Sequence, residues 1–361
     1  MNKLKTMNRT TRRNYITYAV VIAAYVILEV LMHGPGLKAA TRGMLVPICA
    51  YIVMALSLNL TVGVMGELSL GHAGFMSVGA FTGTATTLCL METVPNPTVR
   101  LFIGIVVGAL FGAIVGFLIG IPVLRLRGDY LAIVTLAFGE IIRSLIGNVY
   151  MGYDQGHLKF SMFTNNLDMS PEGKIIIEGA MGIRSIPKIA TFTAGFILIM
   201  ICLVVIFNMV GSRSGRAIMA IRDNYIAAES IGIPAFKYKI TAFTISAAMA
   251  GAAGALFGNN YSSLTASKFN IDTSILILVF VVLGGLGNML GSIIAAAALT
   301  ILPEALRGFA DYRMLMYAVI LIAVMLITNN PKVKDFTKNL SEKRAEKSAQ
   351  KAAAKGGGGD E

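Results

Sequence analysis

The sequence predicts an all-α, polytopic transmembrane helical bundle of about ten spans, some of them broken or re-entrant helices. Three observations predict it. Apolar residues fill 55% of 361 positions and charged residues 14%, against roughly 25% charged in soluble domains. The apolar residues gather in runs of about twenty, the length that crosses a hydrocarbon core of roughly 30 Å. Glycines interrupt two of those stretches, at 63–74 and at 284–291. Irregular backbone at membrane depth survives only when buried in protein or lining a wet cavity.

Taken in order, the first span, about 15–32, comes after Lys3, Lys5, Arg9, Arg12 and Arg13. No small-x-small cleavage site succeeds it and many spans come after, so it reads as a retained helix and not a signal peptide. Spans at 44–63 and 68–91 flank the first glycine break. The next two, 101–123 and 130–147, are joined by a short basic turn, Arg125-Leu-Arg127-Gly128-Asp129. Residues 148–190 carry Gly152, Gly156, Pro171, Gly173 and Pro187 and read as one long loop, of a length that is usually functional or mobile. After a sixth span at 191–210 comes a basic, patterned loop at 211–237. The last spans are 238–258, 273–287, 289–303 and 313–329, with the second glycine break between the eighth and ninth. The domain organisation is therefore an N-terminal segment at 1–14, a membrane domain at 15–330 and a charged tail at 331–361. The tail is rich in Lys, Ala and Glu and reads as a frayed helix and then disorder.

Charge placement sets orientation and excludes a nucleic-acid partner. The net charge is +12, yet the basic residues flank apolar runs. With the N-terminus inside, twenty of the 31 Lys and Arg fall on the inner side, ten outside and Arg143 within a span; an excess of that kind is the positive-inside pattern. Both termini and 211–237 are then cytoplasmic, and 148–190 is extracytoplasmic. Tyr15, Tyr130 and Tyr238 lie at run ends, where interfacial aromatics sit in a chain without Trp. Cys49, Cys89 and Cys202 each lie inside an apolar run and have neither disulfide nor metal spacing. No phosphate-cradling Gly-Lys-Ser/Thr loop and no His-Glu-x-x-His occurs, so the chain reads as neither an enzyme nor a cofactor binder. If ATP drives it, another chain binds the ATP.

Three groups of residues carry the functional reading. Glu67, Ser69 and His72 in the first break, with Gly284, Gly285 and Asn288 in the second, are placed near the midplane flanking a translocation path, since interrupted helices in matching positions of two halves mark such a path. Close packing by small residues explains the glycines equally well. Glu140 and Arg143 stand three apart on one span and can pair, which softens the cost of charge there. In the 211–237 loop, Asp223 or Asn224 can cap a helix of about two turns from Asn224 to Ile231, which Gly232 and Pro234 stop. Ile226, Ala227 and Ile231 would face a neighbour, while Ala228 and Gly232 would admit another backbone. A self-sufficient carrier would hold acidic residues deep in its helices, where only Glu67 and Glu140 qualify. It would need no capped cytosolic loop.

Several stretches together resemble the LivM-type permeases of branched-chain amino acid ABC importers. They are Leu56-Ser-Leu-Asn59-Leu, Gly66 to Phe75, Leu124 to Arg143, Gly215-Arg-Ala through Ser-Ile-Gly232, and Val282 to Asn288, covering roughly 45–330 in the family's order. The resemblance implies a pore-forming permease subunit that carries branched-chain or related amino acids. It also implies a second homologous permease, two cytosolic ABC ATPase subunits and an extracytoplasmic solute-binding protein. Gly215, Arg216, Arg222, Asp223, Ala227, Ala228, Glu229 and Gly232 fall in the family's ATPase-coupling loop. Glu67 stands where the family usually has Gln, and Gly179-Ala-Met-Gly182-Ile183 replaces its Gly-Gly-x-x-Gly-Ile element. Relatives also carry urea and other small solutes, which stays an alternative.

Overall fold

The computed structural model describes residues 9–33, 39–126, 128–154, 157–162, 174–306 and 312–329. Its apolar helices coincide with the expected spans: α1 (Arg9–His33), α2 (Ala39–Asn59), α3 (His72–Cys89), α4 (Pro97–Val123) and α5 (Asp129–Ile146), then α6 (Phe192–Gly211). Two short helices, α7 (Arg213–Asp223) and α8 (Tyr225–Ser230), precede α9 (Ala235–Gly258), α10 (Ile271–Gly284), α11 (Met289–Ala305) and α12 (Arg313–Asn329). Five segments are long and apolar enough to cross a membrane by themselves: 14–32, 42–65, 97–123, 192–211 and 235–258. The protein is a multi-pass membrane protein. The shorter α3 and α10 each adjoin a break in the helical chain.

Sequence decides the helix ends. Asn96 accepts a hydrogen bond from Thr98 N with Pro97 opening α4, Thr191 caps α6 through Ala194 N, and Asn270 caps α10 through Thr273 N. The centre of the fold is built on small residues. Along α4, Gly104, Gly108, Gly112 and Gly116 recur every fourth residue and are buried. A Cβ at Gly108 would fall 2.8 Å from the Ala255 Cβ and 2.9 Å from the Gly79 carbonyl. Backbones of α3, α4 and α9 thus meet directly, the small-xxx-small packing of membrane helices.

The contacts divide the chain at 301/302 into two units. The second holds the end of α11 and helix α12. The 331–361 tail, residues 1–8 and Arg127 lie outside the described residues.

The 148–190 region differs from the loop expected. Three strands, β1 (Val149–Asp154), β2 (His157–Met162) and β3 (Lys174–Glu178), form an antiparallel sheet in the order β2-β1-β3, with Val149 opposite Met162 and Tyr150 opposite Glu178. The all-α class gains a small sheet because these runs alternate or are β-branched, as in Leu158, Phe160 and Met162 or Ile175 to Ile177. An Ile183–Leu264 bridge ties the stretch between β3 and α6 to the segment between α9 and α10.

Candidate functional site

Two helix breaks meet inside the protein. After α2 the chain widens into a π-helical turn, Leu60–Met65, and leaves it at Gly66 with φ +81. It then runs non-helically to His72. In the other half α10 ends at Gly284, and Gly285 (φ +90) and Gly287 (φ +76) turn the chain into α11. Asn59 joins the two. Its Oδ1 accepts from Gly287 N at 2.8 Å and its Nδ2 donates to Ser292 Oγ at 2.8 Å. A Cβ on Gly63 would collide with the Asn59 side chain and the Gly287 backbone. Gly284 packs as tightly on Gly291 and Ser292, and Asn288 N donates back to Gly285 O. The expected residues Gly284, Gly285 and Asn288 thus belong to the second break, which meets the first through Gly287 and Ser292.

Buried hydroxyls surround the start of α3. His72 Nε2 lies 2.7 Å from Ser57 Oγ and 3.4 Å from Ser246 Oγ, while Thr61 Oγ1 donates to Ser246 Oγ at 2.8 Å. Leu70 N donates to Thr135 Oγ1 and Ala73 N to Ser274 Oγ, which staples the start of α3 to α5 and α10. Ser69 Oγ and His72 Nδ1 are buried with no hydrogen-bond partner among the described residues. Such orphaned polar groups are uncommon in native structures, and two of them sit at this break.

Glu67 leaves this group, contrary to expectation. It forms an ion pair with Lys239, their side chains only 12% and 8% exposed. Lys239 is in the second turn of α9, with its Nζ 5.1 Å over the Tyr225 ring that opens α8. Lys239 and Ser246, the α9 partners of Glu67 and His72, are separated by about 10 Å at 1.5 Å per residue. The physical reason is the non-helical 67–71 stretch, which carries the chain away from Lys239 before α3 begins.

The loop before α9 is two helices, not one. Ser212 caps α7 through Gly215 N at 3.2 Å; Asp223 closes α7, and Asn224 caps α8 through Ala227 N at 3.0 Å. Two expectations are corrected here. Ala228 is buried with Ile221 and Ala235, so it seats α8 on its own chain instead of facing a partner. Gly215 lies buried against the Met209 and Val210 carbonyls at the α6–α7 corner. Gly232 has open space where a Cβ would lie, and its φ of +83 itself calls for glycine, with Gly232 N donating to Glu229 O and Ile233 N to Ala228 O. Ile226 and Ile231 do face outward, 74% and 76% exposed, beside exposed Ala227 and Glu229. Arg216 is exposed and holds the Gly211 carbonyl.

Arg222 connects this module to the break. Its Nη1 donates to the Gly63 carbonyl at 3.0 Å, its stem covers Gly66, and its Nε and Nη2 hold Asp223 Oδ1. On α5 the expected pair forms, Arg143 Nε donating to Glu140 Oε2 at 2.7 Å. Sequence reasoning alone leaves Ser57, Asn59, Thr61, Ser246 and Lys239 out of the site. The available signal is a polar residue inside an apolar run.

Over residues 41–328 the chain matches the family described as branched-chain amino acid transport system / permease component. The chain belongs to that family. It is 36% identical over 299 residues to the high-affinity branched-chain amino acid transport system permease protein LivM of Salmonella typhimurium and 34% identical over 294 residues to LivM of Escherichia coli. Each match takes in 76% of this chain and 66% of the relative, so the chain spans just under two thirds of their length. A probable branched-chain amino acid transport permease, LivH of Methanocaldococcus jannaschii, is 23% identical over 320 residues, 83% of this chain and 94% of that one. No solved structure matches. The site in this member of the family is a short two-helix module pinned by one arginine to crossed helix breaks.

Proposed function

We propose that this chain is the pore-forming permease subunit of an ABC importer that moves branched-chain amino acids across the cytoplasmic membrane, with both termini in the cytosol. It pairs with a second homologous permease. Two cytosolic ATPase subunits supply ATP hydrolysis, and an extracytoplasmic binding protein delivers the solute. The observation that carries the reading is the Arg222–Gly63 contact. It gives a surface module of polar and exposed apolar residues a direct hold on a helix break deep in the chain. A rigid module gripped by a closing ATPase dimer would pull on the break through Arg222 and through Lys239–Glu67, a rigid-body kind of coupling. The break is built to yield: a π turn, positive-φ glycines and unsatisfied Ser69 and His72 are features that concentrate where backbone switches.

Reconstitution tests the reading. Proteoliposomes holding this permease with its homologous partner, the ATPases and the binding protein should take up L-leucine, L-isoleucine or L-valine only with internal ATP. ATP-independent uptake by this chain alone would overturn it.

A further inference from the structure

Arg100 stands in the first turn of α4 and is only 6% exposed. Its Nε makes no hydrogen bond, and no carboxylate pairs with it, among the described residues. Glu92, in the connection from α3 to α4, is exposed. At the end of α3 the Thr86, Leu88 and Leu90 carbonyls accept from Leu90, Met91 and Val94 N. A buried charge left unmatched is strongly unfavourable, so the position calls for an anion that this chain does not supply. Its depth says which. α4 has 27 residues, about 40 Å at 1.5 Å per residue, against a hydrocarbon core of roughly 30 Å. With the helix centred on that core, Arg100 is about 15 Å from the middle, where acyl chains meet headgroups. Helix side chains lean towards the N-terminus, which carries the guanidinium further into the headgroup layer. Along its length α4 exposes Phe102, Val106, Leu110 and Phe117, a face suited to lipid. The solute path is elsewhere. Arg100 is one turn from Gly104, which packs on Gly83 and Thr87 of α3, and Thr87 lies about 20 Å along α3 from the break at His72.

We infer that this end of the α3–α4 groove binds the phosphate of an anionic phospholipid through Arg100. The planar guanidinium fork matches two phosphate oxygens at once. Exposed Val99 and Phe102 flank it in the sequence and lie against the acyl chains. A headgroup with net negative charge neutralises the arginine, whereas the quaternary ammonium of phosphatidylcholine cancels its own phosphate. The bound lipid completes the contact between α3 and α4 that their glycines begin, and it gives the chain a preference for anionic membranes.

The test uses the full-length chain, purified in detergent and depleted of lipid. Phosphatidylglycerol should raise its thermal midpoint by about 3 °C or more. Phosphatidylcholine should give a smaller shift, and glycerol 1-phosphate, the headgroup without acyl chains, none. No shift with phosphatidylglycerol, or an equal shift with phosphatidylcholine, overturns the inference. An equal shift with glycerol 1-phosphate makes the ligand a free phosphate and overturns it too. Arg100→Met then removes the charge and keeps a long stem. Without added lipid its midpoint should equal or exceed that of the unaltered chain, because no unmatched charge is left inside. In phosphatidylglycerol the order should reverse, and the lipid adduct seen by native mass spectrometry should need about tenfold more lipid. A variant less stable by the same margin with and without phosphatidylglycerol means that Arg100 is matched within the protein, and overturns the inference. An unchanged lipid response with weakened capture of the solute-binding protein assigns Arg100 to that partner and overturns it as well. The lipid shifts of the unaltered chain decide the question even where the variant fails to fold.

Discussion

Replacing Arg222 by Met keeps a long apolar stem over Gly66 but removes the donor to the Gly63 carbonyl and both contacts to Asp223. The two losses differ in size. The Asp223 pair is exposed, at 38% and 67% for the two side chains, and surface pairs of this kind contribute about 0–1 kcal/mol. The contact to Gly63 is charge-assisted and part-buried, and such bonds contribute about 1.5–3 kcal/mol. If that energy is what links the α7–α8 module to the break, its loss lowers coupling by about 10- to 150-fold, the range typical of coupled sites. The assay is the number of solutes taken up per ATP hydrolysed in proteoliposomes, together with the stimulation of ATP hydrolysis by loaded binding protein. Arg222→Met should collapse both while the complex still assembles, and Asp223→Asn should change them by less than about fivefold. An Arg222→Met complex with a normal uptake-to-ATP ratio refutes the proposed connection.

Three further outcomes are expected from the same geometry. Asn59→Ala removes the hydrogen bonds to Gly287 N and Ser292 Oγ, at about 1 kcal/mol each, and should lower the thermal midpoint of the purified complex; Gly63→Ala should do likewise by driving a Cβ into Asn59 and Gly287, and unchanged midpoints in both would mean the breaks do not depend on this crossing. Lys239→Met leaves Glu67 charged and mostly buried, a loss of about 3–5 kcal/mol, and Glu67→Gln/Lys239→Met should recover much of it; equal destabilisation of single and double variants would count against the pairing. Single cysteines at Ser230 and Ser185, in a chain lacking its own cysteines, should label oppositely with an impermeant thiol reagent in intact cells; equal labelling would refute the orientation.

The helices are legible in the sequence because each span is a long apolar run, and run length in a membrane has few readings. The caps at Asn96, Ser212, Asn224 and Asn270 are local chemistry of the same readable kind. The sheet is not, since five or six residues of β-branched and aromatic character between glycines fit a loop as well. At the site, glycine breaks mark where the backbone departs from helix but not what they touch. Asn59 and Gly287 lie 228 positions apart and Glu67 and Lys239 172, and no local pattern pairs them. The six-residue α8 is too short for periodicity to say which face is buried, so the sequence alone turns Ala228 outward when Ile221 and Ala235 hold it inward.

Central to the proposed function is a contact between the exposed face of α8 and an ATPase subunit. Ile226 and Ile231 project from that face, and a photo-crosslinking side chain at Ile226 in the assembled transporter reads their neighbour directly. The expected product is an adduct with the ATPase subunit whose yield changes between ATP-bound and nucleotide-free states. Adducts with lipid or with either permease, and none with the ATPase, would contradict it.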